Sequence, residues 1–304
     1  MLDLVKDVKW YYTVEVEPGV FTKGMEAPNV ALTRKFLRNV DVSGKDCLDV
    51  GTQEGLIPIL LKRAGARNVA AYDRLDLSEK VYFLQKRYGA EFRYFPGIQL
   101  RELPSRLDRE LGGRFFDLIV FSGAMYHMID PFGLLALVRG LCKVGGLMVV
   151  ETVVKQQAQE SLVFNARCGA YRGPSGSTYF IATTGFMDYA LRMLGLKPLH
   201  AVYLGSLHPD STARLAVLCR SMPAPCPLDS KDDWVHKDFH TQIFRDESQV
   251  DWEGLAKTSS DISFKPYDNS VTAITNEGLV KSLANRPPYK PAADEVRLLL
   301  SSQI

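Results

Sequence analysis

The chain of 304 residues is 46% hydrophobic and carries 37 Lys and Arg against 35 Asp and Glu, a formal net charge of +2. That length buries a full α/β core and leaves residues for an added lobe or tail, while the balanced charge removes any global electrostatic reason to expect a nucleic-acid polyanion as partner. The cysteines Cys47, Cys142, Cys168, Cys219 and Cys226 include no Cys-x-x-Cys pair, so neither a zinc nor a dithiol site is indicated and a reducing, intracellular setting is expected.

In chain order, Met1 to Asp7 mixes acidic and apolar residues, unlike a secretory signal, and no stretch reaches the ~20 apolar residues of a membrane span. A soluble, cytoplasmic protein is expected. Residues 1–44 read as an arm or cap. Trp10, Tyr11 and Tyr12 form an aromatic cluster, the alternation from Val14 to Glu17 with Pro18-Gly19 marks a short hairpin, and Leu32, Phe36 and Leu37 after Asn29 have helical spacing. Trp10 and Tyr12 have two readings, a staple that fixes the arm or an aromatic wall over a ligand.

From Lys45 onward strand and helix alternate: strands at 46–50, 68–73, 91–95, 116–122 and 146–153, separated by helices at 55–64, 78–88, near 99–111 and at 131–142. Such βαβ repetition predicts a doubly wound, Rossmann-like parallel sheet with its ligand at the carboxyl ends of the strands. The first such end runs from Asp49 through Gly51, Thr52, Gln53 and Glu54 to Gly55. It lacks the middle glycine of the dinucleotide fingerprint, which turns the reading toward another nucleoside cofactor. Asp73, with Arg74 beside it, closes the second strand about 20 residues later, where an acid accepts hydrogen bonds from a ribose diol. Ile98 and Gln99 follow the third strand and offer an apolar face and an amide to an adenine. The fourth strand opens through Ser122 and Gly123 into Met125, Tyr126 and His127, and Glu151 with Thr152 ends the fifth within reach of the same cleft.

Residues 154–182 interrupt the alternation with a polar passage carrying Asn165, Tyr171, Arg172 and Tyr179, read as a substrate insertion. A helix from Thr184 to Leu194 stops at Gly195, and strands at 197–204 and 213–220 read as an antiparallel edge pair that ends the core at residue 220. Residues 221–304 have little periodicity and read as an extension serving as a lid, wrapping the core, or packing on a partner in a homo-oligomer. His236 and His240 lie at i and i+4 with no third ligand, so no metal is expected.

With these residues in place the sequence resembles the class I S-adenosyl-L-methionine (SAM)-dependent methyltransferases, and within them the branch containing the bacterial tRNA wobble-uridine carboxymethyltransferase. The resemblance rests on Leu48 to Gly55, Phe95 to Gln99, Phe116 to His127 and Val149 to Thr152. It implies a seven-stranded sheet and SAM as methyl donor, with S-adenosyl-L-homocysteine as product and carboxy-SAM as the alternative donor. It places Gly51, Gln53 and Gly55 along the methionyl part, Asp73 on the ribose, and Ile98 with Gln99 on the adenine. Lys23, before Gly24, falls where that branch contacts the carboxylated arm, and Tyr126 matches a further cofactor or substrate contact. The turn Thr52-Gln53-Glu54 departs from the small Cys-Gly-Ser type of the branch, and the segment before Trp10 is shorter than the added segment of the tRNA enzyme.

Methyl transfer is an in-line displacement, so alignment in a dry site is the main requirement. His127 and Tyr126 are the base candidates where the acceptor must lose a proton. Trp10, Tyr12, Met125, Glu151, Asn165, Tyr171, Arg172 and Tyr179 are the substrate-side candidates, an arginine there suiting a carboxylate. A small, amino-acid-like or secondary-metabolite acceptor is expected, with S-methylation of methionine a specific case implied by the resemblance. tRNA modification and non-catalytic SAM binding are the alternatives.

Overall fold

The computed structural model describes residues 8–165, 178–205, 211–228, 242, 245, 248–266 and 271–302. The arm comes first: β1 (Glu15–Glu17) and β2 (Val20–Phe21) pair antiparallel, and α1 (Pro28–Leu37) follows. Pro28 stands in the first turn of α1, where no intrahelical bond needs its missing N–H. The alternation then runs through β3 (Asp46–Val50), α2 (Leu56–Arg63), β4 (Asn68–Asp73), α3 (Ser78–Tyr88), β5 (Arg93–Pro96), a 3-10 turn at Leu100–Glu102 leading into α4 (Leu103–Leu111), β6 (Phe116–Ser122), a second 3-10 turn at Met125–His127, α5 (Pro131–Arg139) and β7 (Cys142–Lys155). There follow β8 (Leu162–Phe164), β9 (Phe180–Thr183), α6 (Thr184–Met193), β10 (Leu196–Gly205), β11 (Thr212–Ser221), α7 (Trp252–Ala256), β12 (Thr272–Ala273) and α8 (Gly278–Leu283).

Along the main sheet the order is β12-β10-β11-β7-β6-β3-β4-β5. Strands β3 to β7 are parallel to their neighbours among themselves, and β11 is antiparallel to both β7 and β10. The order reverses between β3 and β6, since β4 lies on one side of β3 and β6 on the other. A crevice at their carboxyl ends follows from the crossover connections on opposite faces. The seven long strands expected from the sequence are all present. Among the described residues the short strands β8, β9 and β12 also join, giving ten.

Two differences from the sequence reading have simple causes. The strand expected at 146–153 begins at Cys142, because Phe116 pairs with Cys142 while Leu118 pairs with Leu147, so residues 143–146 bulge between two ladder pairs. The pair expected at an edge is antiparallel but holds no edge strand: β11 lies between β7 and β10, and β10 carries the two-residue β12 on its outer side.

Both faces of the sheet are covered, as a parallel sheet requires. One core joins Leu103 and Leu107 of α4, Leu135 and Val138 of α5 and Met187 and Leu191 of α6; the other joins Phe36 of α1, Ile59 and Leu60 of α2 and Leu84 of α3. Later residues are tied to this body by buried arginines. Arg34 donates to the carbonyls of Asp294 and Arg297, and Arg139, without solvent exposure, donates to those of Leu194, Cys142 and Met222. Leu298 bridges Val14, and its carbonyl accepts from the Glu15 N–H at 2.8 Å. Among the described residues no helix is long and apolar enough to cross a membrane.

Candidate functional site

At the carboxyl end of β3 the chain turns sharply through Gly51, at φ +85°, and Gln53, at φ +51°. The left-handed conformation is costly for a residue with a Cβ, and at Gly51 an added Cβ would also stand 3.1 Å from the Cβ of Ala124 on the neighbouring β6 turn. Glycine there lets the turns after β3 and β6 approach across the crevice.

Asp73, at the end of β4, is buried, and the Gln53 N–H donates to its Oδ2 at 2.7 Å while the Leu75 N–H donates to its Oδ1 at 2.9 Å. The turn is thus pinned to the carboxylate. Two N–H bonds leave lone pairs on both oxygens. Burial raises the Asp73 pKa against the lowering effect of those N–H bonds. Asp49, also buried, is pushed up to about 7 by burial, with the negative charge of Asp73 adding to the rise. The turn after β5 is fixed beside them: the Gly97 N–H donates to the Asp73 carbonyl and the Tyr72 hydroxyl to the Ile98 carbonyl, both at 3.0 Å. Ile98 is half-buried, whereas Gln99 and Arg74 are exposed.

A second group lies across the ends of β6, β7 and β11. Sheet register sets Ser122 opposite Glu151 and Arg214 opposite Val153, which puts Arg214 diagonal to Glu151 on one face. The Arg214 guanidinium grips Glu151 with two bonds of 2.8 and 2.9 Å, and the Ser122 hydroxyl donates to Glu151 at 3.1 Å. Glu151 is fully buried. Thr33 of α1 reaches Ser122 at 3.2 Å, and an added Cβ at Gly123 would stand 3.2 Å from the Asn29 amide nitrogen.

Aromatic groups line this cluster. The Arg214 guanidinium lies 5.5 Å from the Tyr126 ring centroid, with its Nη1 3.4 Å from the Tyr126 hydroxyl. The half-buried His127 ring stands 4.2 Å from that of Tyr126. The Asn29 amide donates to the Tyr12 hydroxyl at 3.4 Å. Burial pushes the Tyr12 phenol well above its usual range, against the Asn29 bond, with Tyr126 and Arg214 near enough to act on it.

The candidates named from sequence therefore fall into separate places. Asp49, Gly51, Thr52, Gln53, Gly55, Asp73, Ile98 and Gln99 gather around the first turn, and Ser122, Gly123, Tyr12, Tyr126, His127 and Glu151 around the second group. Others are held in the packing or stand exposed. Trp10 is buried, its ring 6.1 Å from Phe83 and 5.3 Å from Lys80 Nζ, so of its two readings the staple is the one its packing serves. Met125 turns into the core. Asn165 is buried, its N–H and side chain donating to the carbonyls of Tyr179 and Thr178, so it fastens the base of the insertion. Tyr179 presents an exposed ring, while its N–H donates to the Tyr126 carbonyl at 2.8 Å. Lys23 is exposed, next to a Gly24 pressed against the Tyr12 main chain. Tyr171 and Arg172, like His236 and His240, lie outside the described residues. Sequence reasoning missed Arg214 and Asn29; an arginine directly before the apolar run Leu215 to Cys219 was the available signal for the first.

Residues 24–184, more than half of the chain, match the model of the family described as methyltransferase domain. A tRNA U34 carboxymethyltransferase of Pseudomonas paraeruginosa is 29% identical over 196 residues, covering 64% of this chain and 58% of that protein. One of Dichelobacter nodosus is 35% identical over 124 residues, covering 40% and 38%. The chain thus spans little more than half the length of the first of these relatives. Among solved structures, the N-terminal domain of EvdMO1 with SAH bound has a TM-score of 0.51 at 16% identity, covering 70% of this chain and 91% of that one, a likeness of fold.

Proposed function

The chain belongs to the methyltransferase domain family, and from that premise we propose that it transfers the methyl group of SAM to a small, amino-acid-like acceptor and releases S-adenosyl-L-homocysteine (SAH). The observation that carries this reading is the pinning of the Gly51 turn to Asp73 at the switch point of the sheet, by the 2.7 Å bond from the Gln53 N–H. The residues fit the donor. Asp73 keeps acceptor positions for a ribose diol, Ile98 and Gln99 offer an apolar face and an amide for adenine, and the buried Asp49 carboxyl lies near the end of β3, two residues before Gly51. When bound, SAM supplies an electrophilic methyl group on a sulfonium sulfur.

The chain's own work is then alignment and exclusion of water. Tyr12, Tyr126 and the Arg214–Glu151 pair form the acceptor side. The Tyr12 phenol stays protonated, since burial holds its pKa high, so it orients rather than abstracts. His127, half-buried at the mouth, is the base for an ammonium or phenol acceptor, whereas a thioether such as methionine needs none. A second reading, tRNA wobble-uridine carboxymethyl transfer from a carboxylated donor, is favoured by the Arg214 Nη1 beside the Tyr126 hydroxyl, a cation edge suited to a carboxylate.

The test is incubation with methyl-labelled SAM and a panel of amino acids, metabolites and bulk tRNA, with mass spectrometry of any co-purified nucleoside. Label in a small molecule supports the first reading. A carboxymethyl group gained by tRNA when carboxy-SAM is supplied, seen as a mass increase of the nucleoside, supports the second. Absence of binding of either SAM or carboxy-SAM by calorimetry overturns both.

A further inference from the structure

The proposed donor turn contains a carboxylate that the reaction does not use. Glu54 has no solvent exposure. Its Oε1 accepts from the Tyr11 N–H at 2.8 Å and from Lys80 Nζ at 2.9 Å, and its Oε2 accepts from the Tyr12 N–H at 3.0 Å. A buried carboxylate is tolerable only when its charge and lone pairs are met in this way. Two of the three donors are main-chain groups of the aromatic arm, 42 and 43 residues away in sequence. On its far edge the arm is held equally tightly, since a Cβ at Gly24 would stand 2.0 Å from the Tyr12 carbonyl oxygen.

Glu54 therefore sits between two functions of one loop. Immediately before it, the Gln53 N–H fixes Asp73; through its own side chain it fixes Tyr12, whose hydroxyl meets Asn29 at the acceptor side. The intervening backbone is in the left-handed region at Gln53, uncommon for a residue with a Cβ, so a shift of the turn moves both attachments together. We propose that Glu54 is a positioning residue that makes formation of the acceptor wall conditional on the donor: a ligand that orders the Gly51 turn also closes the Tyr11-Tyr12 arm, and the donor enters before the acceptor. The ordering rests on the reading of this turn as the SAM cradle. The clasp itself does not. Because binding linkage is reciprocal, an arm locked down through Glu54 tightens donor binding by the factor with which the donor protects the arm.

The experiment is hydrogen exchange of the Tyr11 and Tyr12 amides in the full chain, with SAH as the probe and its binding followed by calorimetry. In the unsubstituted protein SAH slows both amides by about fivefold or more. Glu54→Gln leaves one acceptor where two are needed, so the amides exchange about tenfold faster and SAH no longer slows them. Lys80→Met loosens the same clasp from α3, and Lys80→Arg, which keeps the cation, restores slow exchange; this pair carries the test should Glu54→Gln fail to fold. Exchange that is unchanged by bound SAH, or as slow in Lys80→Met as in Lys80→Arg, overturns the proposal. Absence of SAH binding to the unsubstituted protein overturns the donor reading and the ordering with it, while the clasp still stands or falls on the rates without ligand.

Discussion

The two ends of the parallel strands use charge in opposite ways. At the amino ends a cavity of about 720 Å3 is lined by Asp46, Arg67, Arg93, Arg114 and Lys143 among others, and these arginines and Lys143 are paired with carboxylates in or beside the lining. Arg67 pairs with Asp46 at 2.5 Å, Arg93 with Glu110 at 2.6 Å and Lys143 with Asp117 at 3.0 Å. At the carboxyl ends Glu151 is paired with Arg214, but burial raises the pKa of both Asp49 and Asp73, and the charge of Asp73 adds to the rise at Asp49. A cavity of that size does not by itself place a ligand at the amino ends. The proposed donor site lies at the other end, where the strand order reverses and the glycine turn lets the β3 and β6 turns approach.

The largest test of this contrast is Gly51→Val. Strain at φ +85° and the contact with Ala124 displace the turn, so SAM affinity falls by at least about 100-fold while the melting temperature drops only a few degrees. Unchanged affinity by calorimetry would break the assignment of the donor end. Asp73→Asn removes a charged acceptor and weakens SAM binding by roughly 10- to 100-fold. A loss confined to thermal stability, with affinity intact, would make Asp73 a turn brace only.

Asp49 sharpens the comparison through pH. Its folded pKa of about 7 lies above the range of an unfolded aspartate, so between about pH 4 and 7 the folded state binds more protons and stability falls as pH rises. Asp49→Asn abolishes that slope. At pH 8 the variant melts higher, by roughly 1–2 kcal/mol of stability, yet binds SAM less well; an unaltered pH profile of melting would sink the account. The smallest effect is expected at the amino ends, where Arg93→Ala should leave SAM affinity within about twofold, since exposed pairs contribute little.

The sheet was legible because buried strands are locally apolar. Leu118 to Phe121 and Leu147 to Val150 are fully buried, and their runs could be read without knowing their neighbours. Asp73 and the Gly51 turn were legible for a related reason, since both lie at strand ends with fixed spacing. The acceptor side was not. Arg214 meets Glu151 only through the register of β11 on β7, 63 residues apart, and Asn29 reaches Tyr12 only once the arm is folded over. Glu54 looked like an anomaly in a small-residue turn, because its partners Tyr11, Tyr12 and Lys80 are scattered along the chain. Likewise β12 is two residues long and carries no pattern that a sequence can show.

The bond from the Leu300 N–H to the Glu15 carboxylate spans 285 residues, and with the Leu298 bridge to Val14 it has a consequence for synthesis on the ribosome. At about 5–20 residues per second, the arm emerges roughly 15–60 seconds before the segment that completes its pairing. During that interval Thr13 to Glu15 is bonded on one side by Phe21, Thr22 and Met25, while the side that later meets Leu298 stays open to chaperones and neighbouring nascent chains. Any competence that depends on this pairing of the arm is therefore gained only once residues 298–300 have emerged, late and all at once rather than built up as the sheet grows.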